Sequence, residues 1–317
     1  MSEVALDNTD FKFPGQISAH HGKVRDIYDL DDSLLLVATD RYSAFDRNLA
    51  LIPHKGELLT AISSWWFEQT ASIVKNHVRS YPDASVLWCT KYKVIPIEIV
   101  VRGYITGVTN TSLWHNYSQG QRDFGDFILP EGLKKNQKLP GPVLTPTTKF
   151  EKHDRGLTPR EAVEEGLVEA EIWQKLQEIA LNLFSFGQKT AESKGLILVD
   201  TKYEFGLDKQ GSIILIDEIH TPDSSRYWRK ETYEQQIAKV EEPDNYDKEY
   251  LRLWYKARFD PYADTEAPTP PPDILNELIR RYSFVYRQLT GQEFKPATGQ
   301  PLERIKTNVL RAIKANG

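Results

Sequence analysis

Residues 196–205 and 212–219 both read as β-strands rich in Ile, Leu and Val, yet each carries charge where a buried sheet should be apolar. Side chains alternate faces along a strand, so Asp200, Lys202 and Glu204 project together. Asp217 and Glu218 close the second stretch directly after Ile213, Ile214, Leu215 and Ile216. Removing carboxylates from water is costly unless cations stand among them. A lysine and a divalent metal carrying a polyphosphate meet that need. Asp200, Glu204 and Asp217 suit the oxygen-rich coordination that Mg²⁺ takes beside phosphate oxygens. Asp217 reaches the face of Asp200 and Glu204 only if even positions pair with odd ones, or if a bulge shifts the register. The competing reading is a solvated acidic hairpin with Lys202 as counter-ion.

The remaining composition narrows the class. With 317 residues, 40% of them hydrophobic, the chain can bury one large core or two packed ones. A net charge of −5 argues against nucleic acid as a partner, since that would call for a basic face. Cys89 is the single cysteine and follows Trp88 in an apolar run, so a buried, inert thiol in a reducing compartment is expected. Residues 1–10 lack the basic and apolar regions of a signal peptide. The longest apolar runs fall far short of the ~20 residues of a membrane span. The expectation is a soluble, cytoplasmic protein with no membrane partner.

Along the chain, residues 22–30 and 33–39 read as strands joined at Asp31-Asp32. A helix is predicted from Lys55-Gly56 to about residue 75, with Leu58, Leu59, Ile62, Trp65, Trp66, Ile73 and Val74 near helical spacing. Residues 86–91 and 94–104 are again strand-like, and Pro96 marks an edge or a bulge. Residues 91–93 suit a passage from one lobe to the next. Residues 118–149 read as a long irregular loop. Thr158-Pro159-Arg160-Glu161 is a helix start, and a longer helix runs from 169 to 193 before Gly195. Residues 230–262 read as helical or irregular surface packing. A proline-rich connector, 267–272, precedes a helix capped by Asp273 and stopped by Gly291, and a last helix spans 302–315. Strands, helix, strands, helices and strands in this order make an α+β pattern.

Other residues suit chemistry. Gly22 followed by Lys23 and Arg25 can lay amides and cations over phosphates, or form a basic surface strand. Asp40 and Asp46 read as turn formers, with Ser43 a candidate ligand. Arg102, after an aliphatic strand, suits bidentate capture of phosphate or carboxylate and equally suits an ion pair. Lys149 ends a hydroxyl-rich run, and His153-Asp154 can orient an amine or exchange protons, or be plain polar surface. Asp223, Ser224 and Arg226 suit a sugar phosphate.

Gly22-Lys-Val-Arg, Lys55-Gly-Glu-Leu-Leu-Thr60, Val101-Arg-Gly-Tyr-Ile-Thr-Gly107, Thr145-Pro-Thr-Thr-Lys149, Asp200-Thr-Lys-Tyr-Glu-Phe-Gly206 and Asp217-Glu-Ile-His-Thr-Pro-Asp-Ser-Ser-Arg226 stand in this order. Together they resemble the phosphoribosylaminoimidazole-succinocarboxamide synthase (SAICAR synthetase) family. The resemblance implies a two-lobed α+β fold with a kinase-like ATP cleft. Its antiparallel-sheet lobe would span residues 1–97, and a larger α+β lobe with the C-terminal helices would span 98–317. It implies that ATP and Mg²⁺ join L-aspartate to an imidazole carboxylate ribonucleotide through an acyl phosphate.

By the same resemblance, Glu204 and Asp217 hold Mg²⁺. Gly22, Lys23 and Arg25 lie over the ATP phosphates, and Ile97-Glu98 meets adenine and ribose. Asp200 and Lys202 stand at the reacting groups. Arg102, Asp223, Ser224 and Arg226 hold the ribonucleotide, and Lys149, His153 and Asp154 lie near the aspartate site. Many members place Ser directly after Ile-Thr-Gly. Val108 stands there in this chain, which moves the serine's expected place to Ser112. The partners implied are small molecules, and the assembly a monomer or small homo-oligomer. An inositol-phosphate-type kinase is the alternative reading, and a nucleotide-binding module without turnover is a third.

Overall fold

The structure, a computed structural model, describes residues 4–109, 111–150, 155–263 and 265–316. Strands β1 (Ser18–His21), β2 (Arg25–Asp29) and β3 (Ser33–Ala38) form a meander, with Asp31 at φ 75° in the tight turn before β3. β4 (Arg41–Ala44) pairs with β5 (Arg47–Leu51) as a separate ribbon. Helix α1 (Lys55–Gln69) follows. Its second residue is a glycine because a Cβ at Gly56 would stand 2.3 Å from the Ala38 carbonyl oxygen. It stops short of the expected residue 75: the Thr70 hydroxyl bonds back to the Trp66 carbonyl, and Ile73 N reaches the Thr70 carbonyl in a tighter turn. β6 (Val78–Asp83) and β7 (Val86–Thr90) complete a five-stranded sheet ordered β1-β2-β3-β7-β6.

The next elements are β8 (Lys93–Tyr104), α2 (Leu113–Ser118), β9 (Lys138–Leu144), β10 (Thr147–Thr148), α3 (Pro159–Glu164) and α4 (Ala170–Ser193). Then come β11 (Leu196–Leu207), β12 (Ile213–Ile216) and β13 (Ser225–Arg229), followed by α5 (Lys230–Ala238), α6 (Glu249–Lys256), α7 (Pro272–Thr290) and α8 (Pro301–Asn316). The segment 118–149 is more ordered than its composition suggests, because β9 and β10 both pair with β8. Pro96 falls in a bulge: between the pairs Glu204–Glu98 and Gly206–Val94, three residues of β8 face one of β11. The Thr158 capping box is present. Asp273 lies inside the first turn of α7 rather than at its cap, which Pro271 occupies.

The chain forms two compact units. The first gathers the described residues up to Trp65, His77–Lys91 and those from Lys248 onward; the second holds Trp66–Asn76 and Tyr92–Asp247. These units interleave in sequence, unlike the expected single division after residue 97. The C-terminal helices belong to the first unit, α8 for a plain reason. Ile305 and Val309 of α8 are buried in one apolar cluster with Phe11, Phe13, Tyr28 and Leu35. In the second unit the long strand β11 is the axis of a six-stranded sheet, flanked by β8 on one side and by β12 and β13 on the other. Cys89 is buried, as expected. Among the described residues no helix is long and apolar enough to cross a membrane.

Candidate active site

Register across the second unit's sheet sets its charged face. Asp200 stands opposite Arg102 of β8 and opposite Arg226 of β13, so three strands align one acid between two arginines. Two residues on, Lys202 faces Val100, and after it Glu204 faces Glu98 on one side and Ile216 on the other. Directly opposed residues share a face, so these rows project together.

The side chains close two ion-pair groups. Arg226 Nη1 lies 2.6 Å from Asp200 Oδ2, and Arg102 Nη1 lies 3.7 Å from the same oxygen. Arg102 also donates from Nε to Thr145 Oγ1 at 2.7 Å and from Nη2 to the Thr111 carbonyl at 3.1 Å. Burial lowers the Arg102 guanidinium to about 10, with Asp200 opposing the shift and Arg226 adding to it. In the second group, Lys202 Nζ donates to Glu98 at 2.8 Å and to Glu204 at 2.6 Å, and Lys149 pairs with the other Glu204 oxygen. Burial works against charge on Lys202, yet Glu204, Glu98 and Asp217 outweigh it and raise the ammonium well above its ordinary value. At Glu204 burial pushes the carboxyl up, but Lys202 and Lys149 hold it well below the usual range. At Glu98 burial wins over Lys202, and with Glu204 nearby the carboxyl is raised.

Asp217 joins this second group against the parity of the strands. Even residues of β11 pair with even residues of β12, so continued alternation would send residue 217 to the far face with Tyr203. Asp217 instead leaves the strand at φ 68°, in the left-handed region, where that alternation no longer applies, and its charge contributes to raising Lys202. A turn, rather than the odd-even pairing or strand bulge considered from sequence, brings the acid there.

Ser112 packs close to Arg226. A Cβ at Gly107, whose φ is 99°, would lie 2.4 Å from Ser112 Cβ and 3.0 Å from Arg226 Nη2. The Ser112 hydroxyl donates to the Thr109 carbonyl at 2.6 Å. Asp223 and Ser224 sit in the turn before β13, where Ser224 N donates to the Thr221 carbonyl at 3.1 Å. His153 and Asp154 lie outside the described residues. Gly22, Lys23 and Arg25 belong to the first unit: Gly22 N donates to the Arg25 carbonyl at 2.8 Å, and Lys23 Nζ pairs with Asp46 at 2.5 Å. Asp40 is structural, accepting from Leu6 N and Gly56 N, and burial raises its carboxyl.

Sequence reading did not find Thr145 as the anchor of Arg102, nor the direct links of Glu98 and Lys149 to the Lys202 group. It also missed β13. The only sequence signal for these partners is strand register, which needs the bulges at 198–200 and at Pro96 to be known.

The SAICAR synthetase family profile matches residues 18–269. A phosphoribosylaminoimidazole-succinocarboxamide synthase of Legionella pneumophila (strain Paris) is 50% identical over 294 residues, covering 92% of this chain and 94% of that one. A SAICAR synthase from Saccharomyces cerevisiae, solved in complex with SAICAR, superposes with a TM-score of 0.78 at 36% identity, covering 92% of this chain and 100% of that one. A type-2 SAICAR synthetase in complex with ADP gives 0.68 at 26% identity, covering 88% and 100%. Fold and likeness define an α+β enzyme of the carbon–nitrogen ligase class. More narrowly, the chain belongs to the SAICAR synthetase family, the ATP-dependent ligases of purine biosynthesis.

Proposed function

We propose that the charged face of β11 joins L-aspartate to 5-amino-1-(5-phospho-D-ribosyl)imidazole-4-carboxylate, giving SAICAR, ADP and phosphate. The observation that carries this reading is the single face on which the Arg102–Asp200–Arg226 row stands beside the Lys202 group. One end offers guanidinium groups to a phosphorylated sugar; the other offers buried ammonium groups and carboxylates to a triphosphate.

A carboxylate resists amines because oxide leaves poorly. Its oxygen attacks the γ-phosphorus of ATP, ADP departs, and an acyl phosphate results. The aspartate amine then attacks the acyl carbon, phosphate leaves, and the amine gives up a proton. Such phosphoryl transfer relies on alignment and charge more than on a protein nucleophile. Lys202, kept protonated by its carboxylate neighbours, neutralises charge at the reacting phosphate. Asp200 aligns Arg102 and Arg226 toward the ribonucleotide, with Ser112, Asp223 and Ser224 completing its contacts. Lys149 stands with Lys202, and His153 and Asp154 are proposed near aspartate. Gly22, Lys23, Arg25 and Glu98 carry the proposed ATP contacts.

Mg²⁺ fits this donor set. With all five groups ionised, Glu98, Glu204 and Asp217 exceed Lys202 and Lys149 by one negative charge (three against two). Among the described residues no group of three or more Asp, Glu, His or Cys side chains is arranged to hold a metal ion. Two carboxylates suffice where phosphate oxygens fill the other positions. Glu204 and Asp217 would hold the ion, which would neutralise developing charge on the phosphates. Cytoplasmic location and a monomer or small homo-oligomer accompany this reading.

The test is ADP release with substrates withheld one at a time. Release should require both aspartate and the imidazole carboxylate. Steady ADP formation with an inositol phosphate and no aspartate would instead establish the kinase reading.

A further inference from the structure

The segment 217–224 crosses the edge of β11 between two pairings. β12 pairs with residues 204–207 and β13 with residues 196–201, so neither reaches Lys202 or Tyr203. The segment contains two non-glycine residues in the left-handed region, Asp217 at φ 68° and His220 at φ 50°. Such residues are strained and persist only where their surroundings over-determine them.

His220 supplies that determination. It is fully buried, and its Nε2 shares a hydrogen bond of 2.6 Å with the Tyr203 hydroxyl. The Tyr227 hydroxyl donates to its carbonyl at 2.7 Å. The ring stands edge-on to Trp66, with centroids 4.6 Å apart and planes at 88°. Gly187 of α4 leaves room for it, since a Cβ there would lie 2.5 Å from His220 Cε1. Tyr203 projects from β11 on the face opposite its neighbours Lys202 and Glu204. The anchorage therefore sits beneath the strand, and the acid it steadies acts above it.

We propose that His220, fixed by Tyr203, is a positioning residue for Asp217: their buried hydrogen bond holds the turn that brings the Asp217 carboxylate to Lys202. Its kinetic consequence rests on the proposed role of Asp217 with Mg²⁺; the structural claim does not. The Tyr203→Phe variant of the full chain removes one hydroxyl and keeps the ring. Hydrogen exchange in 217–224 should accelerate about tenfold or more. Mn²⁺ affinity in the presence of ADP, read by electron paramagnetic resonance, should fall several-fold, while the ribonucleotide KM stays within twofold. His220→Leu should have the same effect, the double variant should add nothing further, and His220→Gln should recover part of the loss. Wild-type exchange rates in Tyr203→Phe, or additive effects in the double variant, would overturn the proposal. Asp217→Asn separates the two readings: unchanged Mn²⁺ affinity there removes the metal role, while loop exchange in Tyr203→Phe still decides the positioning role.

Discussion

Asp200 and Arg226 face each other across β11 and β13, with Nη1 of the arginine 2.6 Å from Oδ2 of the aspartate. Arg102 approaches the same oxygen from the other side at 3.7 Å. One carboxylate thus stands between two guanidinium groups drawn from strands far apart in the chain, bonding Arg226 directly while Thr145 and the Thr111 carbonyl hold Arg102. A sugar phosphate needs such planar, fixed donors.

Arg226→Ala should therefore act on the ribonucleotide. Loss of one charge-assisted contact amounts to about 1.5–3 kcal/mol. The apparent KM for the imidazole ribonucleotide should rise about 10–100-fold, with the ATP KM little changed. An effect confined to ATP in steady-state kinetics would place Arg226 in the other subsite.

Glu204→Gln and Asp217→Asn keep shape while removing charge beside Lys202. Each should abolish turnover and leave the circular dichroism spectrum close to that of the parent. Near-normal turnover at physiological Mg²⁺ would be incompatible with the metal role assigned to that residue.

His220 gives the protein an acid limit. Burial lowers its imidazole from 6.5 to about 3. Between those values the unfolded chain binds a proton that the folded chain refuses, so this contribution is fully present above the unfolded value and is lost as pH falls below it. The slope approaches about 1.4 kcal/mol per pH unit for one proton. In urea unfolding between about pH 6.5 and 4.5, His220→Gln should flatten the decline. Identical slopes for the two proteins would exclude His220 as the cause.

Arg304 of α8 joins the buried carboxylates Glu57, at 2.6 Å, and Asp83, at 3.0 Å. Arg304→Met should destabilise the first unit by about 3–5 kcal/mol, because it leaves two buried acids without their cation. Urea unfolding measures this, and a loss below about 1 kcal/mol would contradict the role of Arg304 as the clamp.

Much of this was legible because it is local. The hydrophobic runs of β3 and β11, the Thr158 capping box and the Gly291 stop each depend on neighbours a few residues away. β9 and β10 were not legible: they are short, carry Pro and Gly or only two residues, and exist because β8 offers an edge. The membership of α7 and α8 in the first unit was hidden for the same reason, since an apolar helix face does not say which core it covers.

Sequence alone determined which groups are present: a lysine and acids alternating on one strand, Arg102 after an aliphatic run, Arg226 beside a polar turn, and the order of motifs that marks the family. Only the tertiary structure decided which of them meet. Strand alternation is counted from within one strand, but meeting depends on register between strands, and bulges at residues 198–200 and at Pro96 reset that register. Asp217 is the clearest case, since it stands past the last pair of the strand at φ 68°, where alternation no longer sets its direction, and its charge acts on Lys202.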